Sequence, residues 1–259
     1  MLYEVLRDAI QAEKPVALAT VIDGPHVGSK LLVRPGEPAL GSLGDPDLDR
    51  VVARDAQAQL ASGTTLVRHY GPQGQANEAD VHVFIESFAP PPQMVIFGAV
   101  DFTAALAKVA KVLGYRVTVC DARSVFATTR RFPMADEVVV DWPDRLLERI
   151  GPSLGPRDAV CVLTHDPKFD VPAIVGALAT EVGYIGVMGS RRTHAKRMAR
   201  LAEAGVDTPE QLARIMSPIG IDIGARSPEE TAISICAEII STRTGRLGPS
   251  LRDTDGPIH

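Results

Sequence analysis

Leu2, Val5, Leu6, Ala9 and Ile10 recur at helical spacing, so the pattern predicts an amphipathic helix over residues 2–13. Pro15 stops it, because proline lacks the backbone donor and clashes with the preceding turn. Val16–Ile22 is a short apolar, β-branched run and predicts a strand. Lys30–Arg34, between Gly28 and Pro35-Gly36, predicts a second. Asp47–Ser62 predicts a helix ended by Gly63, and Thr64–Tyr70 and Val81–Glu86 predict further strands. Residues 1–88 therefore read as a small α/β domain.

Ala89-Pro90-Pro91-Pro92 breaks the pattern, since a proline run is stiff and extended and continues neither a helix nor a central strand. The domain boundary is placed there. Beyond it the order is strand, helix, strand: Met94–Phe97, then Thr103–Leu113 with Leu106, Val109, Ala110 and Leu113 on one face, then Gly114 and Arg116–Cys120. A short turn followed by a helix between two apolar strands implies parallel pairing with a right-handed crossover. Glu137–Val140, Ala159–Leu163 and Tyr184–Val187 supply more apolar strands, with helices between them. Thr208-Pro209-Glu210-Gln211 and Ser227-Pro228-Glu229-Glu230 are capping boxes that open the last two helices. The second of these carries Ile233, Ala237 and Ile240 on one face. The fold class expected is α/β, with a Rossmann-like parallel sheet over residues 93–244 and a smaller N-terminal α/β domain. The Gly-, Pro- and Asp-rich tail, 245–259, is expected to be poorly ordered.

Composition narrows the classes. The chain has 259 residues, 45% apolar, enough to bury a core without staples. A formal net charge of -5 argues against a general nucleic-acid binder. Cys120, Cys161 and Cys236 are odd in number and far apart, so they read as reduced core thiols and give no zinc spacing. No apolar leader opens the chain, and no run approaches a membrane span, so a cytoplasmic location is expected.

The candidate chemistry lies at strand ends. Gly98-Ala99-Val100-Asp101-Phe102-Thr103 occupies the first strand-to-helix turn, where a dinucleotide fold wants several glycines. Only Gly98 is present; Val100 and Thr103 hold the positions of the others. A turn that binds no dinucleotide stands beside the nucleotide reading. Asp121 follows the second strand, 23 residues past Gly98, near the spacing of a ribose-binding acid, while Arg123 suits a phosphate. Thr164-His165-Asp166 closes another strand; His165 could bond a ligand or move a proton, or be held in the loop by Asp166. Gly189-Ser190-Arg191-Arg192 is the most informative stretch. A helix N-terminus with two guanidiniums makes an anion pocket, and arginines there oppose the helix dipole unless an anion offsets them. The alternative is a solvated basic helix, since Lys196, Arg197 and Arg200 follow. Gly220, Asp222 and Gly224 lie in a loop that could cover the site or simply pack closely.

Several segments together resemble the xanthine dehydrogenase / carbon monoxide dehydrogenase accessory proteins (XdhC/CoxI), nearest the CoxI-like branch. They are Val117-Thr118-Val119-Cys120-Asp121-Ala122-Arg123, Phe126-Ala127-Thr128, Arg131-Phe132-Pro133, Leu163-Thr164-His165-Asp166, Met188-Gly189-Ser190-Arg191-Arg192-Thr193-His194 and Pro218-Ile219-Gly220-Ile221-Asp222-Ile223-Gly224-Ala225. The likeness covers most of residues 93–244. It implies a Rossmann-like domain and a protein that binds molybdenum cofactor (molybdopterin) and delivers its sulfurated form to a molybdenum hydroxylase client. A cysteine desulfurase partner and a homodimer belong to the same expectation. The N-terminal half departs from the pattern. Gly28-Ser29-Lys30-Leu31-Leu32-Val33 looks like the family's glycine-basic-strand segment, but Asp23-Gly24-Pro25-His26 stands where Gly-Ser-x-Pro-Arg is usual. Gly41-Ser42-Leu43-Gly44-Asp45 stands in place of the family's Gly-Gly-Gly-Cys, so the cysteine linked to cofactor binding in relatives is absent.

The sequence thus favours an accessory protein over an enzyme. An NAD(P)-linked oxidoreductase and an interaction module whose Rossmann domain holds no ligand are the alternatives. The chain lacks the clustered cysteines that the iron–sulfur centres of a true xanthine dehydrogenase need.

Overall fold

The computed structural model describes residues 2–76, 78–246 and 248–254, and of Arg191 the backbone only. Cα packing divides the chain between Pro90 and Pro91.

In the first unit, β1 (Val16–Asp23) pairs antiparallel with β2 (Lys30–Val33) and β5 (Val81–Phe88). β3 (Leu40–Ser42) extends the sheet beside β2, and β4 (Leu66–Tyr70) beside β5. Alternation along β1 sends Ala17, Ala19 and Val21 to one face, where α2 (Pro46–Ser62) covers them with Leu48, Val52, Ala56 and Leu60. Val16 lies on the other, against α1 (Leu2–Gln11). Asp45 caps α2, which starts at Pro46, one residue before the expected Asp47; Gly63 ends it, as expected, in the left-handed conformation. Gly41 and Ser42 belong to β3, a strand too short and too glycine-rich to be read from periodicity.

The second unit is built on six parallel strands: β6 (Gln93–Phe97), β7 (Arg116–Cys120), β8 (Glu137–Val139), β9 (Ala159–Val162), β10 (Tyr184–Val187) and β11 (Ile215–Met216). Their order is β8-β7-β6-β9-β10-β11, the doubly wound order of the dinucleotide fold. Two-residue β11 has no apolar run to announce it. Met94, Ile96, Val117 and Val119 face α3 (Asp101–Val112) and α8 (Pro228–Thr244). Val95, Phe97, Val160 and Val162 face α4 (Pro143–Ile150), α5 (Pro167–Leu178) and α6 (Arg191–Glu203). The strands are covered on both faces, which is why they read as continuous apolar runs. Each fully buried side chain of this kind contributes about 1.5–3 kcal/mol of transfer free energy.

Two expectations change in detail. α3 begins at Asp101 rather than Thr103, because Val100 already takes the extended cap conformation. On α8 the buried face is Ala232, Ile235, Cys236 and Ile239, whereas Ile233 and Ile240 are 54% and 39% exposed. That helix carries isoleucines on more than one face, so spacing alone could not choose its inner face. Both capping boxes, at Thr208 before α7 (Pro209–Ala213) and at Ser227, are formed. In the tail, Leu251–Asp253 makes a short 3-10 turn, while Leu247 and residues 255–259 lie outside the described residues. No described helix is long and apolar enough to cross a membrane.

Candidate functional site

The chain leaves β6 for β7 and β8 on one side of the sheet, then crosses back to β9, β10 and β11 on the other. The strand order therefore reverses between β6 and β9, and open α/β sheets bind ligands in the crevice at such a point. The sequence-derived residues lie in the segments that follow β6, β7, β9, β10 and β11, all at the carboxyl edge.

At the first turn, Gly98 has φ +111°, and a Cβ there would stand 3.0 Å from the Thr164 amide nitrogen. The glycine is thus required by the approach of the β9 end, independently of any ligand. Asp121 is buried and fully engaged by its own chain. Its Oδ2 accepts from the Ala99 amide at 2.8 Å and from Arg123 Nη2 at 2.8 Å. Its Oδ1 accepts from the Arg123 amide and Nε, both at 2.9 Å. Burial pushes this carboxyl up, but Arg123 and the two amides outweigh it and hold it below the usual carboxylate range. A ribose diol would have to displace Arg123 to reach it. Arg123 itself is half exposed and lies over the Phe126 ring, 4.6 Å from its centroid. Arg131 donates to the Ala99 carbonyl at 3.0 Å and stacks near Phe126 and Phe132.

After β9, Thr164 is buried and accepts from the Asp166 amide at 3.0 Å. His165 is exposed. Asp166 does not hold it: the carboxylate caps α5, accepting from the Lys168 amide at 3.1 Å, with Lys168 Nζ 3.5 Å away.

After β10, Ser190 caps α6 by accepting from the Thr193 amide at 3.2 Å. Among the described residues five helices follow a strand of this sheet directly and so start towards this edge, and the last of them, α8, carries Glu229 and Glu230 in its first turn. α3, α4 and α5 each carry an acid in the first turn, Asp101, Asp144 and Asp170; α6 carries none. An acid in the first turn opposes an anion there, and of these starts α6 alone lacks that repulsion. Arg192 is exposed beside that start, and the side chain of Arg191 lies outside the described residues.

After β11, Gly220 has φ +95°, and its amide donates to Glu238 Oε2 at 2.8 Å. Tyr184 donates to the same oxygen at 2.5 Å. A Cβ on Gly220 would stand 2.4 Å from Ser234 Oγ, so packing on α8 demands this glycine. Asp222 is exposed and accepts from the Gly224 amide at 3.4 Å.

Two residues escaped the sequence reading. Arg197 and Asp170 form a buried ion pair, Nη2 to Oδ2 2.9 Å, with side chains only 3% and 4% exposed. The available signal was phase: Arg197 lies four residues before buried Leu201, and Asp170 four before buried Ile174, so each charge occupies an apolar-stripe position.

Among the described residues no group of histidine, cysteine and carboxylate side chains could hold a metal ion. The thiols offer no substitute. Burial pushes Cys120 up to about 12 and Cys236 up to about 11, and raises Cys161 well above an ordinary thiol. The native protein is accordingly expected to resist iodoacetamide at neutral pH and to take up three labels only in denaturant, read by intact mass. Labelling of the native fold at any of the three would show that this picture of inert thiols is wrong. The apolar cavity between α4 and α5, about 670 Å³ and lined by Leu147, Leu154, Val175 and Ala179, includes none of the sequence-derived site residues in its lining.

A doubly wound parallel sheet of this strand order defines a Rossmann-like domain, and the chain also carries an antiparallel α/β unit. Residues 94–239 match the model of the XdhC Rossmann domain, and residues 9–71 match that of the XdhC and CoxI family. The chain belongs to the XdhC and CoxI family. It is 31% identical over 241 residues to a probable xanthine dehydrogenase subunit of Bacillus subtilis (strain 168), covering 93% of this chain and 64% of that one. It is 28% identical over 160 residues to the molybdenum cofactor insertion chaperone PaoD of Escherichia coli (strain K12), covering 62% and 43%. The chain thus spans less than two thirds of the length of these relatives. A crystal structure named as that of a xanthine dehydrogenase (BH1974) from Bacillus halodurans shares the fold, with TM-score 0.56 and 21% identity over 95% of this chain and 97% of that one.

Proposed function

We propose that this chain is an accessory protein that holds molybdenum cofactor and passes it to a molybdenum hydroxylase of the xanthine dehydrogenase type. The observation that carries the reading is the start of α6. Of the five described helices that directly follow a strand of the parallel sheet it alone is free of acid in its first turn, and Gly189, Ser190 and Arg192 suit the phosphate of a pterin cofactor. Family membership and the name of the PaoD relative point the same way. The donor set fits a cargo held by its phosphate and ring rather than through the metal, since the three thiols are buried and protonated. The cofactor's sulfur would then come from a second protein, a cysteine desulfurase, and not from this chain. A cytoplasmic homodimer completes the reading.

Nicotinamide dinucleotide is the weaker ligand because Asp121 is engaged on both oxygens by Ala99 and Arg123. The test is anaerobic incubation of the purified protein with molybdopterin, gel filtration, and fluorescence of the oxidised pterin in the protein fraction. Near-stoichiometric retention is expected. Retention no greater than that of an unrelated protein, or retention of NADPH in its place, would overturn the reading.

A further inference from the structure

We propose that the buried Asp170–Arg197 pair is the positioning element of the anion cradle, and that it works by aiming the Gly189 amide at the ligand. The proposal rests on the cofactor reading above and deepens it.

Arg197 joins three crossings of the sheet edge from one side chain. Its Nη2 donates to Asp170 Oδ2, in the segment after β9, and to the Met188 carbonyl, in the segment after β10, both at 2.9 Å. Its Nη1 reaches Ser217 Oγ, after β11, at 3.4 Å. A Cβ on Gly189 would stand 3.4 Å from that same Nη1, so the guanidinium lies directly beneath the glycine. Gly189 has φ +151°, a conformation that side chains rarely adopt.

The Met188 carbonyl and the Gly189 N–H belong to one trans peptide and point in opposite directions. With the carbonyl drawn inward onto Arg197, the N–H is turned outward, towards the edge. Among the described residues that N–H meets no protein acceptor. It stands immediately before Ser190, at the start of α6, so it joins the first-turn amides as one more donor to the same anion. A flexible carbonyl would let this peptide rotate; a planar guanidinium held by a carboxylate does not.

A buried ion pair is weak evidence for stability, because desolvation offsets much of the attraction. Burial pushes the Asp170 carboxyl up against the opposing pull of Arg197, which agrees with that view. The pair is then better explained by what it holds in place than by what it contributes to folding.

The test compares the full chain with Asp170→Leu/Arg197→Met, which exchanges the pair for apolar groups of similar size, and with Arg197→Lys. Lysine keeps the charge but not the fork that reaches Asp170 and Met188 together. Inorganic pyrophosphate is titrated by calorimetry, molybdopterin retention is measured as above, and the Gly189 amide is followed by proton–nitrogen NMR. The double variant is expected to keep its thermal midpoint within a few degrees, to shift the Gly189 resonance and to lose about tenfold in pyrophosphate affinity. Arg197→Lys is expected to show the same Gly189 shift with a smaller loss, so the answer stands even if the double variant folds poorly. Unchanged affinity and an unmoved Gly189 resonance in Arg197→Lys would overturn the proposal while leaving the cofactor reading intact. Pyrophosphate binding without molybdopterin retention in the unmodified chain would remove that reading and keep this one. Binding of neither would remove both.

Discussion

Arg192→Glu is expected to weaken molybdopterin retention by about ten- to a hundredfold without lowering the thermal midpoint. The two effects have opposite signs for one reason. A cation in the first turn of a helix opposes the macrodipole, and an acid there adds about 0.3–1 kcal/mol. The helix itself therefore gains from the change. A bound phosphate loses, since it meets a negative charge where it met a positive one. At about 6 Å and an effective dielectric of about 40–80 each unit charge is worth about 0.7–1.4 kcal/mol, and reversal counts it twice. That sum of about 1.4–2.8 kcal/mol is the stated loss in affinity. Raising the salt concentration should shrink the difference between the two proteins, because Arg192 is exposed and the interaction is screened. Equal retention by both proteins, at equal stability and low salt, would remove the anion from the start of α6. Retention is read in the same fluorescence assay, and stability by thermal unfolding followed by circular dichroism.

The start of α6 was legible in the chain because it depends on order along the sequence: an apolar strand, Gly189-Ser190, then a helix opened by arginines. The same holds for β6, β7, β9 and β10, whose apolar runs follow from burial on both faces. What stayed hidden depends on rotation about an axis or on rotamers. Asp121 was placed correctly at the end of β7, yet its partners could not be read, because whether a carboxylate meets a ribose or Arg123 is decided by the arginine side chain. Among the basic residues of α6, Arg197 is buried while Arg192, Lys196 and Arg200 are exposed, and composition alone gives all of them to solvent. α8 shows the converse, with isoleucines on both sides and only packing against α3 to decide between them. Gly98 and Gly220 looked like ligand positions, but each has a nearer claimant inside the protein, Thr164 and Ser234 respectively. A glycine signals close approach without naming what approaches.

Asp170→Ala is expected to lower the unfolding free energy by about 3–5 kcal/mol, the largest stability effect of any substitution considered for this unit. Removing the carboxylate leaves Arg197, itself 2% exposed, as a buried cation whose remaining acceptors are the Met188 carbonyl and the Ser217 hydroxyl. An uncompensated charge in a low-dielectric interior costs far more than the pair contributes when intact. Exchange of both residues, Asp170→Leu/Arg197→Met, is therefore expected to be neutral or stabilising. The pH dependence separates the cases. Burial raises the Asp170 carboxyl in the folded state, so the fold binds its proton more tightly than the unfolded chain does. This group's contribution then favours the fold on the acid side and declines as pH rises from the ordinary carboxylate pKa, about 3.9, to the raised folded value. Above that it is constant. The stability of the double variant relative to the unmodified protein should accordingly grow across that window and level off towards neutrality. Urea unfolding across the acid range measures it, with the slope of each transition checked for two-state behaviour. A single variant as stable as the double one would mean that Arg197 finds water or a new partner when Asp170 is gone. The edge would then be softer than its hydrogen bonds imply, and Gly189 would be held by something other than this pair.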